Sequence, residues 1–281
     1  MKRVAAIHDL SCYAKSSLTV VLPAMSALGV EVAPLPTALL STQTDGFEQY
    51  HYQDLTDSME AVTAHWRTLA LAFDAVYSGF LGSQRQIAVV ADFIAWQRSI
   101  GAPLVIVDPV LGDDGAPYGP VSPALVHHMH KLVALADVVT PNPTEAALLL
   151  GERYQADVGT KMATQWARRI SDTGPTKVAL TGVPDGDGGT VVCYDRTTDA
   201  VDLCHTRYAP VSYPGSGDLF ASILCALMMR GTPFAQAAEA SSLLVSQAVF
   251  NSWNAAVEHR HGVAVESIMA DLVRQGEALL P

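Results

Sequence analysis

Short apolar runs rich in Val, Ile and Ala recur along this chain with longer amphipathic segments between them, and no other feature constrains its fold as much. The spacing predicts strands at Arg3–Ile7, Val30–Leu35, Ala75–Ser78, Leu104–Val107, Val138–Thr140 and Lys177–Leu180. Helices are expected at Leu18–Leu28, Asp54–Ala72, Ser83–Ser99, Ser122–Leu135, Thr144–Leu150 and Thr160–Ser171. A strand followed by a helix and another strand calls for a parallel sheet with helices on both faces. The last third changes character. Thr190–Tyr194 and Ala200–Arg207 flank the polar turn "DRTTD" and read as an antiparallel hairpin at the sheet edge, before helices at Asp218–Met229, Pro233–Phe250 and Val265–Leu279. The expected fold is an α/β sandwich, a mostly parallel doubly wound sheet with an antiparallel edge hairpin. With 281 residues, 49% of them hydrophobic, and no Gly/Ser/Pro-rich linker, residues 1–281 read as one domain.

In such sheets, ligands sit beyond the carboxyl ends of the strands. Polar residues gather at those expected ends: His8-Asp9, Asp108-Pro109, Thr140-Pro141-Asn142 and Thr181-Gly182. The formal charge of −11, from 28 acidic and 17 basic residues, comes with no Lys/Arg cluster. Nucleic acid and anionic membrane are therefore not expected partners. An acidic chain that handles phosphates needs a metal cation or a cradle of backbone N–H groups. The cysteines Cys12, Cys193, Cys204 and Cys225 have no metal-binding spacing and read as reduced thiols of a cytoplasmic protein. The apolar run behind the basic start "MKR" is too short for a signal peptide, and no stretch is long enough to span a bilayer.

The stretch "VSYPGSGDLFASILCALMMRG" supplies a cradle. Gly215, Ser216 and Gly217 permit close backbone approach, and a helix start offers unpaired N–H groups to an anion. Asp218 then stands beside a transferring phosphoryl group, placed to accept a proton from an attacking hydroxyl. The competing reading is a helix N-cap after an ordinary turn. From the motif alone the two stand level; the wholly apolar helix body, which would fix the cradle rigidly, favours the first. In "VDPVLGDDGAPY", Asp108 ends a buried strand, where a carboxylate is costly unless paired or metal-bound. Mg²⁺ suits such a site, keeping most of its waters and using one or two carboxylates. Asp114 reads as part of a solvated loop. In "TPNPTEAALLLG", Glu145 fits a first helical turn, while Asn142 between two prolines points to a triphosphate that Glu145 reaches through water. "VHHMHK" lacks the helical spacing of a zinc site, and "GDGG" at 186–189 reads as a turn. No P-loop, GxSxG or HExxH motif occurs.

Taken in order, "IHDLS", "STQTDG", "YSGFLG", "DPVLGDDGAPY", "TPNPTEAALLLG", "LTG" and "GSGDLFAS" resemble the ribokinase-like superfamily, and within it the pyridoxal kinase family. The resemblance runs from Val4 to about Phe250, and it implies a three-layer α/β/α sandwich that uses ATP and Mg²⁺ to phosphorylate the hydroxymethyl arm of a vitamin B6 vitamer. It further implies Asp218 as the base, the N–H groups of Gly215, Ser216 and Gly217 as an anion hole, and Asp108, Asn142 and Glu145 around Mg²⁺ and the triphosphate. Asp108 and Glu145 are the implied metal residues. Thr181 matches a nucleotide-contacting position, Thr44 and Phe80 match substrate-pocket positions, and Tyr118 lies in the loop covering the site. Family members are commonly homodimers. Two departures stand out: Asp9 replaces a serine that meets the pyridine ring, and Gln43 replaces a histidine in the substrate loop. An acid at position 9 would pair with a protonated ring nitrogen or an amine. Hydroxymethylpyrimidine kinases are the nearest alternative but usually carry cysteine at the place of Asp218. A ribokinase-type sugar kinase lacks support, having no early Gly-Gly pair here. A non-catalytic vitamer-binding protein would have no use for Asp218.

Overall fold

The computed structural model describes residues 1–119, 121–186, 188–207 and 211–278. Its elements run β1 (Arg3–Ser11), α1 (Leu18–Ala27), β2 (Glu31–Leu40), β3 (Tyr52–Asp54), α2 (Thr56–Thr68), β4 (Ala75–Ser78), α3 (Gln84–Ile100) and β5 (Leu104–Val107). There follow β6 (Gly112–Asp113), β7 (Ala116–Pro117), α4 (Pro123–Val133), β8 (Val138–Val139), α5 (Pro143–Leu150), α6 (Thr160–Ser171) and β9 (Lys177–Asp185). The chain closes with β10 (Gly188–Asp195), β11 (Ala200–Arg207), α7 (Ser216–Met229), α8 (Phe234–Asn254) and α9 (Met269–Glu277). Nine strands form one sheet in the order β11-β10-β9-β8-β5-β4-β1-β2-β3, parallel from β9 to β2 and antiparallel at both edges. The expected doubly wound sandwich with its edge hairpin is present.

Alternation along the strands builds the two outer layers. Val4 and Ala6 of β1, with Val191 and Cys193 of β10, pack into a core shared with α1, α7, α8 and α9. Ala5 and Ile7, with Val192 and Tyr194, pack on the other face against residues of α2 to α6. α6 shows the helical counterpart: Ala163, Trp166, Ala167 and Ile170 recur at i, i+3, i+4 and i+7 and are buried.

Several boundaries differ from expectation. β2 passes through Pro34 and Pro36, which pair in parallel with Ala6 and His8 of β1, while β3 joins its other side only at Ala38–Leu40. Both prolines lie where that outer side is an open edge, so no ladder donor is lost. The expected helix from Asp54 begins at Thr56, because Asp54 sits in β3 and its carboxylate accepts the Thr56 N–H at 2.8 Å. β9 continues beyond Leu180 through a bulge: Leu180 faces Val192 and Val183 faces Thr190, so Thr181 and Gly182 together oppose Val191. Gly182 carries the positive φ of 64° that this bulge needs. The final helix opens as a 3-10 turn at Val265–Ile268 before α9, and its expected end at Leu279 lies outside the described residues, as does Asp187 of "GDGG". Among the described residues no helix is long and apolar enough to cross a membrane.

Candidate active site

The chain turns from β1 into α1 beside the start of α7, and this junction fixes Asp218. Gly215 precedes α7 with φ 82°, and a Cβ there would stand 2.9 Å from the Lys15 carbonyl oxygen. Only glycine lets the two loops approach so closely. α7 has no side-chain cap, which forgoes about 1 kcal/mol. Its buried body of Leu219, Phe220, Ile223, Leu224 and Leu227 outweighs that loss, each such side chain contributing about 1.5–3 kcal/mol. The helix start is thus held by packing, and Asp218 is free of the capping role. Its Oδ2 accepts the Ser17 backbone N–H at 2.8 Å. Its Oδ1 lies 3.9 Å from His8 Nδ1. Burial pushes its pKa from 3.8 up to about 7, against the Ser17 bond that lowers it, with the Asp9 carboxylate raising it further.

The backbone donors at this helix start differ in one detail from the expected set. The Ser216 N–H is directed to the Tyr213 carbonyl at 3.3 Å, whereas the N–H groups of Gly215, Gly217 and Asp218 have no hydrogen-bond partner among the described residues. The donors left open therefore extend to Asp218 itself.

Asp108, 7% exposed at the end of β5, takes its place through its N–H bond to the Ser78 carbonyl at 2.8 Å. Burial first, then the Glu145 and Asp218 carboxylates, hold its carboxyl well above the usual range. Among the described residues no Lys or Arg forms an ion pair with Asp108, Glu145 or Asp218. Clustered carboxylates without a cationic side chain suit a hard divalent ion. No three His, Cys, Asp or Glu among the described residues form a closed metal site, so such an ion would keep positions for water or phosphate oxygen.

Asn142 and Glu145 are engaged more fully than the sequence suggested. Asn142 caps α5: its side-chain oxygen accepts the Glu145 N–H at 2.9 Å, and Glu145 Oε2 accepts the Asn142 N–H at 2.9 Å. Asn142 Nδ2 donates to the Gly112 carbonyl at 2.8 Å, and Glu145 Oε1 accepts the Leu111 N–H at 3.0 Å. A capping box therefore explains the Asn between prolines, and the same two side chains tie α5 to the loop after Asp108. Burial raises the Glu145 carboxyl while these N–H bonds lower it.

The β6–β7 hairpin hangs from that loop. Gly115 N–H donates to the Thr144 hydroxyl at 2.9 Å, and Tyr118 follows with 40% of its surface exposed. Partial burial raises the Tyr118 hydroxyl, and the carboxylates of Glu145, Asp113, Asp108 and Asp218 raise it further. Thr181 is half-buried at the β9 bulge, its N–H bonded to the Pro141 carbonyl at 2.9 Å. Phe80 is half-buried, and its carbonyl accepts the Thr37 hydroxyl at 3.0 Å. Thr44 is exposed, and its neighbour Gln43 is the buried residue of that loop. Gln43 Nε2 bonds the carbonyls of Asp45 and Arg260, the latter at 2.8 Å.

Asp9 is buried. It is 6% exposed, and its carboxylate accepts the hydroxyls of Ser17 and Ser11. Burial raises its carboxyl and the two serine bonds lower it. The sequence reading also missed the strap at residues 259–263. His261 accepts the Lys15 N–H at 2.9 Å, Val263 donates to the Pro214 carbonyl at 2.9 Å, and His259 Nε2 meets Asp45 Oδ2 at 2.8 Å. It thereby joins the loop after β1, the start of α7 and the substrate loop. Its one signal in the sequence is "EHRHGV", a polar run with a glycine between two helices.

The phosphomethylpyrimidine kinase family matches residues 6–263, nearly the whole chain. The chain belongs to this family. Within the family's reach lies a pyridoxine/pyridoxal/pyridoxamine kinase of Bordetella avium, 30% identical over 260 residues that cover 88% of this chain and 84% of that one. A provisionally named phosphomethylpyrimidine kinase of Bacteroides thetaiotaomicron, solved in a crystal form with pyridoxal, superposes with a TM-score of 0.91 at 37% identity, covering 96% of this chain and 95% of that one. Pyridoxal kinase from Lactobacillus plantarum gives a TM-score of 0.91 at 30% identity, with 99% of each chain covered. The ribokinase-like fold and the pyridoxal kinase kinship expected from the motifs are both present in this family member.

Proposed function

We propose that this kinase transfers the γ-phosphoryl group of ATP to the hydroxymethyl group of a vitamin B6 vitamer, with Asp218 as the base. One observation carries the reading: the Asp218 carboxylate is held by Ser17 beside a helix start whose N–H groups are open, and it caps nothing. The proton leaves the attacking hydroxyl for Asp218 as the new O–P bond forms. The open N–H groups of Gly215, Gly217 and Asp218 face the charge of the moving phosphoryl group. A loose transition state asks mainly for such positioning and electrostatic support.

The donor set fits Mg²⁺, which Asp108 would hold directly, supplying positive charge to the triphosphate. Glu145 and Asn142 would act from behind by fixing the loop that carries Asp108. Thr181 is assigned to the nucleotide side, with Phe80, Thr44 and Tyr118 around the vitamer. A cytoplasmic homodimer is the form we expect, in keeping with four free thiols.

The family's name points to pyrimidine substrates, and hydroxymethylpyrimidine is the second reading. The pyridoxal in the Bacteroides relative and the substrates named for the Bordetella relative favour vitamin B6. A coupled ADP-release assay over pyridoxal, pyridoxamine, pyridoxine and hydroxymethylpyrimidine, with and without Mg²⁺, decides the point. Vitamer-dependent turnover that needs Mg²⁺ is expected. Turnover with the pyrimidine alone would overturn the assignment.

A further inference from the structure

We infer that Asp9 is a positioning residue for phosphoryl transfer, acting through Ser17 to set the orientation of the Asp218 carboxylate. The inference rests on Asp218 being the base.

Three observations lead to it. Ser17 precedes α1 with φ 49° and ψ −127°, a strained backbone conformation for a non-glycine residue. Its side chain does not cap α1, the use to which a serine in that place is normally put. The hydroxyl instead donates to Asp9 Oδ1, and the backbone N–H of the same residue donates to Asp218 Oδ2 at 2.8 Å. The unusual backbone is therefore what lets one residue reach both carboxylates.

Asp9 is suited to anchor this arrangement. It lies in β1 opposite an irregularity in β2, where the pairing skips from His8–Pro36 to Leu10–Leu39. Its second oxygen accepts the Ser11 hydroxyl at 3.2 Å, and Ser11 in turn accepts the Ser16 hydroxyl at 3.2 Å. The loop between β1 and α1 is thus gathered onto one buried carboxylate by three serines. A hydrogen bond to a charged acceptor is shorter and stronger than one between neutral groups, so an acid holds the strained Ser17 better than a serine at position 9 would. The departure from the family pattern at position 9 then concerns how the base is held, and the ring of the vitamer is met by other groups.

Asp9 and Ser17 act in series on this account, so removing either link loses the same interaction. The test compares Asp9→Asn, Ser17→Gly and the double variant with wild type, using steady-state kinetics with pyridoxal and pyridoxamine. Ser17→Gly keeps the N–H and tolerates the positive φ, which separates loss of the hydroxyl from failure to fold. Each single variant should lower kcat about tenfold, with KM for both vitamers within about twofold, and the double variant should match the singles. A rise in KM with kcat kept, unequal for the two vitamers, would make Asp9 a vitamer contact and overturn the inference. Unchanged kinetics, or losses that multiply in the double variant, would overturn it too. Asp218→Asn is measured alongside: if it keeps wild-type turnover, the base assignment itself fails, whereas an inactive Asp218→Asn with unaffected Asp9 variants rejects the positioning role alone.

Discussion

His8 Nδ1 lies 3.9 Å from Asp218 Oδ1, too far for a hydrogen bond, and neither ring nitrogen of His8 has a partner among the described residues. Burial lowers the His8 pKa from 6.5 to about 3, so the ring is neutral and this contact is no ion pair. The imidazole stacks edge-on against Tyr77 with ring centroids 4.3 Å apart. Asp218 is therefore a buried carboxylate with one firm donor, Ser17. That environment is what raises its pKa toward neutrality.

With Asp218 as the proposed base, activity should depend on pH. With the Asp218 carboxyl at about 7 in the free enzyme, kcat/KM should fall about tenfold per pH unit below that value. The pH profile between pH 5.5 and 8.5 checks this, and a flat profile across that range would contradict it.

Stability should run the opposite way. The folded-state pKa of Asp218 stands above its ordinary 3.8, so its contribution is full at low pH and is lost as pH rises through about 7. Asp108 and Glu145 are shifted in the same direction. His8 acts in reverse, its contribution fading only as pH falls below 6.5 toward about 3. Above pH 6.5 the carboxylates alone decide, and Tm should decline toward pH 8.5. Added Mg²⁺ should reverse the decline, because a bound cation favours the charged forms. Thermal melts with and without Mg²⁺ test both statements; a Tm that climbs with pH in the absence of metal would refute the first.

Replacing the base tests the chemistry directly. Asp218→Asn should lower kcat on the order of 10²–10⁴-fold with vitamer binding largely retained. Isothermal titration with the vitamer separates the two effects.

Asn142→Ala should cost about 2 kcal/mol of stability, by removing a helix cap and leaving the Gly112 carbonyl without its donor. Because the Asp108 loop loosens as well, KM for ATP should rise more than KM for the vitamer. Chemical denaturation and steady-state kinetics give the two readings.

Gly262→Ala probes the strap. Gly262 has φ 77° and ψ 178°, a region nearly confined to glycine, and a Cβ would stand 2.4 Å from the Lys15 carbonyl oxygen. The variant should lose on the order of 3 kcal/mol and lower kcat, since Lys15 and Pro214 flank the base. A stable, fully active Gly262→Ala protein would show that the strap does not position the site.

Much of this architecture could be read along the chain. β4, β5 and α6 begin and end where their apolar periodicity does, and the hairpin follows from the turn between its strands. Position by position the reading weakened wherever one local signal had two physical meanings. The strand expected to stop at Leu35 runs on to Leu40, because an edge strand keeps prolines such as Pro36 on its open side. Thr181-Gly182 stood just past an expected strand end, yet forms a bulge within β9. Asn142 looked like a ligand because its cap could be recognised only once Glu145 was seen returning the bond. Nothing in "IHDLS" reveals that Ser17 folds back over Asp9 and binds it.

The sequence by itself determined the sheet and helices, the carboxylate at the mouth of a buried helix, and the acidic residues at the strand ends, since periodicity and turn chemistry act over a few neighbours. Only the tertiary structure decided which of those acids are bound into the frame by hydrogen bonds and which keep an oxygen free. Ser17 and Asp218 are 201 positions apart, and their bond exists only because α1 and α7 pack on the same face of the sheet. A carboxylate's role depends on its donors and its exposure, and both are supplied by residues distant in the chain.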